Sequence, residues 1–236
     1  MNAAGLFPVP FQSESALSSV LFTQFLAPSF GVFLGKLDVL GGDANVFAHD
    51  LKTQFMNIAF VFNLVPLRTV PYSPLGAGFV VLPTKDVLFN FTVLDTQGNP
   101  ERAGFDTMFK GGTTLAAETR VTVKPLGLPG HQLIGGSWSD KLFKANQQDP
   151  RLLLTFLNLP GAVPPRTVSG SWSAYYNFDQ FLYTMPGKPD QGFGLFGRIG
   201  VADRKASPIE QFYSFGLGGQ GVLDSPISRL SSGACG

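Results

Sequence analysis

Apolar and polar positions alternate with a period of two along most of the chain, the pattern of strands with two unlike faces. Over residues 113–124, Leu115, Ala117, Thr119, Val121 and Val123 share one face, and Thr114, Ala116, Glu118, Arg120 and Thr122 the other. Residues 75–82 and 87–93 read as two arms of a hairpin around 83–86, with Phe79, Val81, Phe89 and Phe91 set against Gly76, Gly78, Asn90 and Thr92. The same alternation predicts strands over 131–140, 169–179, 191–202 and 211–219. Short breaks between arms alternate with longer stretches at 41–68, 95–112 and 141–167. Short turns at one end and long loops at the other are the layout of a transmembrane β-barrel, and arms near ten residues match a tilted strand crossing a bilayer.

One segment invites a different reading. Residues 15–35 are uncharged and long enough to span a membrane as a helix. Pro28 and Ser29 sit near its middle, Gly31 and Gly35 follow, and the second arm alternates Phe33, Gly35, Leu37 and Val39 against Val32, Leu34, Lys36 and Asp38. Proline and serine at mid-span predict a tight turn between two strands instead.

A soluble antiparallel sandwich also alternates, so the chemistry of the polar faces has to separate the two. A wet exterior favours Lys and Glu. Here charged residues are only 14% of the 236 residues, and the polar faces carry mostly Ser, Thr, Gly and Asn. The apolar fraction is an ordinary 44% and the mean hydropathy only +0.16, so the chain is poor in charge rather than greasy. Its 28 glycines and 18 prolines break long helices, and 23 phenylalanines favour strands and interfaces. These features favour a lipid-facing exterior with a watery lumen, with the sandwich as competitor.

Candidate chemistry is sparse. A net charge of +1 leaves no electrostatic footprint for nucleic acid. Cys235 is the lone cysteine, and His49 and His131 cannot build a metal site by themselves; no metal or other cofactor is expected. Gly192, Gly194 and Gly197 match a dinucleotide-binding spacing, but a continuing strand pattern follows where a helix is needed. No spacing ties either histidine to a nucleophilic serine, so the chain does not read as an enzyme. Asn90-Phe91-Thr92 forms a glycosylation sequon inside a strand and is discounted.

Charge in a barrel wall is costly on the lipid side, so wall charges belong in the lumen. Glu118 and Arg120, two apart on one face, are the first candidates for residues that meet a permeant, followed by Arg198, Lys36 and Asp38. Each either balances the wall or forms part of a constriction. Trp138, Trp172, Tyr176 and Tyr183 suit interfacial girdles, whereas Tyr175 falls on the polar face and is the better ligand candidate.

Several strings also resemble the carbohydrate-selective porins of Gram-negative outer membranes (the OprB type). They are TQFMN at 53–57, PYSPLGAG at 71–78, TTLAAETR at 113–120, LPGHQLIGGSWS at 128–139 and SGSWSAYYNFDQFLY at 169–183. The longest is GFGLFGRIGVADRKASPIEQFYSFGLGGQG at 192–221. The resemblance implies a sixteen-stranded barrel made with a signal peptide. The opening MNAAGLFPVPFQSE has no basic segment leading into an apolar core, so residues 1–236 are expected to be one barrel domain, incomplete at both ends, with about ten strands. The implied activity is passive diffusion of small sugars, monosaccharides such as glucose among them, across outer-membrane lipid. The alternatives are a soluble all-β sugar-binding module and a small outer-membrane barrel with a structural role.

Overall fold

The computed structural model describes residue 17 and residues 19–39, 43–50, 54–55, 57–98, 103–157 and 159–221. Cys235, the first residues of the 15–35 segment, and Thr53 and Met56 of TQFMN lie outside the described residues. The alternating stretches become nine strands in a single sheet, against about ten expected. They are β1 (Val20–Ala27), β2 (Phe30–Lys36), β3 (Leu75–Thr84), β4 (Val87–Asp95), β5 (Thr113–Val123), β6 (Gly130–Lys144), β7 (Thr167–Met185), β8 (Lys188–Ala202) and β9 (Gln211–Gln220). Each is antiparallel to the next, in chain order, with β1 and β9 as the two edges among the described residues. The uncharged first arm is the hairpin its proline predicts, turning at Pro28 and Ser29. Among the described residues, no helix is long and apolar enough to cross a membrane.

Connections at one end of the sheet are short, at 28–29, 85–86, 124–129 and 186–187; those at the other span 37–74, 96–112, 145–166 and 203–210. Among the described residues the long ones hold both α-helices, α1 (Ile58–Val61), capped by the Asn57 side chain, and α2 (Leu152–Phe156). β7 runs 19 residues, well past the arm ending at 179 that alternation predicts. Beyond that point the pattern lapses at two register shifts, and pairing with β8 carries the strand to the Pro186-Gly187 turn, where Gly187 takes a φ of 75°.

The two faces of the sheet invert the arrangement of a soluble protein. On the convex face Trp138 and Trp172 stand opposite each other, 48% and 47% exposed, and Leu217 is 69% exposed. Phe193, Leu195 and Val201 of β8 are exposed on the same side, while Arg198 between them is fully buried. On the concave face Ser137, Ser139, Ser171, Ser173, Asn177 and Asp179 are buried. A soluble sandwich would cover the first set and wet the second. Here the apolar side is exposed, as on the outside of a barrel wall.

The concave side is filled by the chain's own connection between β2 and β3. Its described residues between 43 and 70 lie against the inner faces of β7, β8 and β9, forming an inner strap. Phe47 and Ala48 pack on Phe181 and Phe196, and Val65 on Ala202 and Phe212. Burying one such side chain contributes roughly 1.5–3 kcal/mol. Glycines make the room: a side chain at Gly194 or Gly218 would collide with Phe47. Gly192, Gly194 and Gly197 therefore lie within one continuous strand, β8, and the dinucleotide spacing is a feature of the wall.

Candidate functional site: the inward-facing cavity

A row of paired residues crosses the inner face from β4 to β7. Asn90 pairs with Glu118, Glu118 with Gly135, and Gly135 with Tyr175. Because period two keeps a row on one side, all four point inward. The Glu118 carboxylate accepts from Asn90 Nδ2 at 3.1 Å through one oxygen and from the Tyr175 hydroxyl at 2.6 Å through the other. Tyr175 lies two strands away and reaches Glu118 only because position 135 is glycine, since a Cβ there would run into the tyrosine ring. A charged acceptor held by two neutral donors is oriented and keeps lone pairs for a further donor.

This row borders a cavity of about 500 Å³ between the strap and the inner faces of β1 to β5. The far wall is largely apolar, with Leu21, Phe33, Val80 and Leu88, while Asn63 and Asn177 face it from the side of the strap and β7. Asp38 lines it as well. Its negative charge reaches Tyr72, whose phenol is held above its ordinary value first by burial and then by that carboxylate.

The six candidate residues are distributed unevenly. Glu118, Asp38 and Tyr175 border the cavity. Arg120, although on the Glu118 face, turns away, donates to the Ala44 carbonyl at 3.0 Å and borders a smaller recess. In that recess His131 Nδ1 meets Asp179 Oδ1 at 2.7 Å. Lys36 is 4% exposed at the end of β2, in register with Val20 and Leu75, and does not border the cavity. Arg198 is 0% exposed and wholly engaged by the strap.

Sequence reasoning missed Asn90, Asn63, Asn177 and Asp43. Parity already puts Asn90 on the polar face, and knowing the register with β5 would have placed it against Glu118. Asn63 and Asp43 sit in irregular chain, where no periodicity exists to read.

Among the described residues, no group of His, Cys, Asp and Glu could hold a metal ion. The family model for carbohydrate-selective porins of the OprB type matches residues 12–226. The chain belongs to the OprB family. Among solved structures it is similar to one described as a high-pH structure of Pseudomonas putida OprB, with a TM-score of 0.69 and 20% identity over 89% of this chain. At that identity the likeness speaks for the fold. The chain spans 50% of that porin's length. No curated protein matches it. Family membership accounts for the porin-like wall, and it turns the apolar convex face and polar concave face into lipid side and lumen side.

Proposed function

We propose that the protein is a passive diffusion channel for carbohydrates in the outer membrane of a Gram-negative bacterium, admitting monosaccharides such as glucose. The observation that carries this reading is the Glu118–Tyr175–Asn90 arrangement, inside a porin wall and open to a cavity large enough for a sugar ring. A sugar presents hydroxyls that donate and accept on its rim and C–H groups on its faces. Glu118 and Asn177 suit the rim, and Phe33 and Leu88 across the cavity suit the faces. The process uses no covalent step: selectivity comes from width, hydrogen-bonding groups and a few charges at the narrow section.

Liposome uptake of glucose and blockage of ion conductance by sugar test the reading together. Glu118→Ala removes a charged partner whose hydrogen bond is worth about 1.5–3 kcal/mol, so sugar blockage should weaken by tenfold or more in the folded variant. Arg120→Ala should act less, because Arg120 meets the Ala44 carbonyl rather than the cavity. A protein that inserts into bilayers and conducts nothing would instead be a structural wall. Sugar passage unchanged in both variants would detach these residues from selectivity.

A further inference from the structure

We propose that Arg198 is a positioning residue that holds the inner strap against the barrel wall and so sets the bore of the passage. The proposal rests on the reading of the protein as a diffusion channel. Arg198 projects from the inner face of β8 between Asn177 of β7 and Ser214 of β9. Its Nε and Nη2 donate to the two carboxylate oxygens of Asp43 at 2.9 and 2.8 Å. Nη2 also donates to the Ala48 carbonyl at 2.6 Å, and Nη1 to the Phe60 carbonyl at 2.5 Å. One planar guanidinium thus ties together three points of the strap that are far apart along it, a geometry a lysine's point charge cannot reproduce. With no exposed surface, it presents no donor to a permeant.

The wall around Arg198 is shaped for the same segment. Asn45 donates to the Phe178 carbonyl at 3.0 Å, and Asn63 to Asn177 Oδ1 at 2.9 Å and the Ile199 carbonyl at 3.1 Å. Phe47 fills the space that Gly194 and Gly218 leave open. Asp43, Phe62 and Asn63 of the strap also form a wall of the 500 Å³ cavity. The strap lies between Arg198 and that cavity, so moving it away from Arg198 brings it into the space through which a solute passes and narrows that space. A buried, unpaired guanidinium or carboxylate is unfavourable enough that the strap stays in place only while the pair is intact.

The experiment compares Asp43→Asn, Arg198→Met and the double variant in planar bilayers and liposomes. Folding is checked by the heat resistance of the compact form on gels. A positioning role predicts that each single variant lowers single-channel conductance by about twofold, since the freed strap enters the passage and conductance follows pore width. It also predicts that uptake of a trisaccharide falls more than that of a monosaccharide, and that the double variant is no narrower than Arg198→Met, because both changes break one contact. A merely structural Arg198 would lower heat resistance and leave conductance and size limit as they were, and that result overturns the proposal. Should Arg198→Met fail to fold, Asp43→Asn, which alters only the strap, decides alone. A parent protein without conductance sinks the channel reading and this one together, whereas a conducting parent with unchanged variants sinks this one only.

Discussion

The inner faces of the two ends of the sheet are built from different materials. On β1 to β4, Leu21, Phe33, Val80 and Leu88 look onto an open cavity, and β1 is exposed along its whole length. On β6 to β9 the inward residues include Ser137, Ser173, Asn177, Asp179, Arg198 and Ser214, all buried. The strap covers only the second region. It supplies hydrogen-bond partners to several of those buried polar groups: Thr69 Oγ1 lies 2.5 Å from Ser137 Oγ, the Val46 amide donates to Asp179, and strap carbonyls accept from Arg198. Polar wall residues can be dry where a covering segment brings its own donors and acceptors. Where no cover exists, the wall relies on apolar side chains and a few wet polar ones.

The largest test of that contrast is the buried cation. Arg198→Met leaves Asp43 and two carbonyls without their donor and should cost about 3–5 kcal/mol, whereas Thr23→Val on the open wall should stay within about 0.5 kcal/mol. Urea unfolding monitored by tryptophan fluorescence measures both, and equal losses would break the comparison. A like-for-like pair of glycine changes is the next test. Gly218→Ala drives a methyl into Phe47 and should cost about 1–3 kcal/mol while exposing the strap to protease. At Gly31, on the open side, an added methyl meets the ends of the Val80 and Phe25 side chains at 3.1 and 3.2 Å, so Gly31→Ala should cost less and leave the strap protected.

Tyr175→Phe acts where the two regions meet, removing the hydroxyl that donates to Glu118 across β6. The change leaves the Glu118 charge in place and only less firmly oriented, so sugar blockage of the conductance should change severalfold, less than in Glu118→Ala, with little effect on unfolding. A change as large as that of Glu118→Ala would mean that Tyr175 itself contacts the permeant. The smallest effect belongs outside both walls, in the 145–166 connection. There Arg151 hydrogen-bonds Asp149 and lowers its carboxyl to about 2. A depressed carboxyl stabilises the fold above its unfolded value of 3.8 and loses that contribution as pH falls through about 2. The pair should thus stay charged at pH 4, and Arg151→Ala should return Asp149 to the ordinary range in a carboxyl-carbon NMR titration. Both groups are solvent-exposed, so stability should barely move.

Much of the wall was legible before any coordinates. Alternation located β2 to β9, because a pleated strand between lipid and lumen must put unlike residues on its two faces, and the Pro28-Ser29 turn located β1. The side assignments followed for Phe193, Leu195 and Val201 outside and Glu118, Tyr175 and Arg198 inside. Facing inward did not mean facing a solute, however. Parity says which side of the wall a residue is on and nothing about what lies over it. Arg198 and Arg120 carry the same signal as Glu118, yet strap carbonyls take up the first two and the cavity keeps the third.

By itself the sequence determined the strand pattern, the hand of each face and the alternation of short and long connections, since these depend on neighbours along the chain and on the need to meet lipid on one side. Only the tertiary structure decided that the described residues between 43 and 70 fold inward, that Gly135 lets Tyr175 reach Glu118, and that Arg198 meets Asp43 across 155 positions. Those contacts join residues distant in sequence, and their energies depend on burial and exact partner geometry, which no local periodicity encodes.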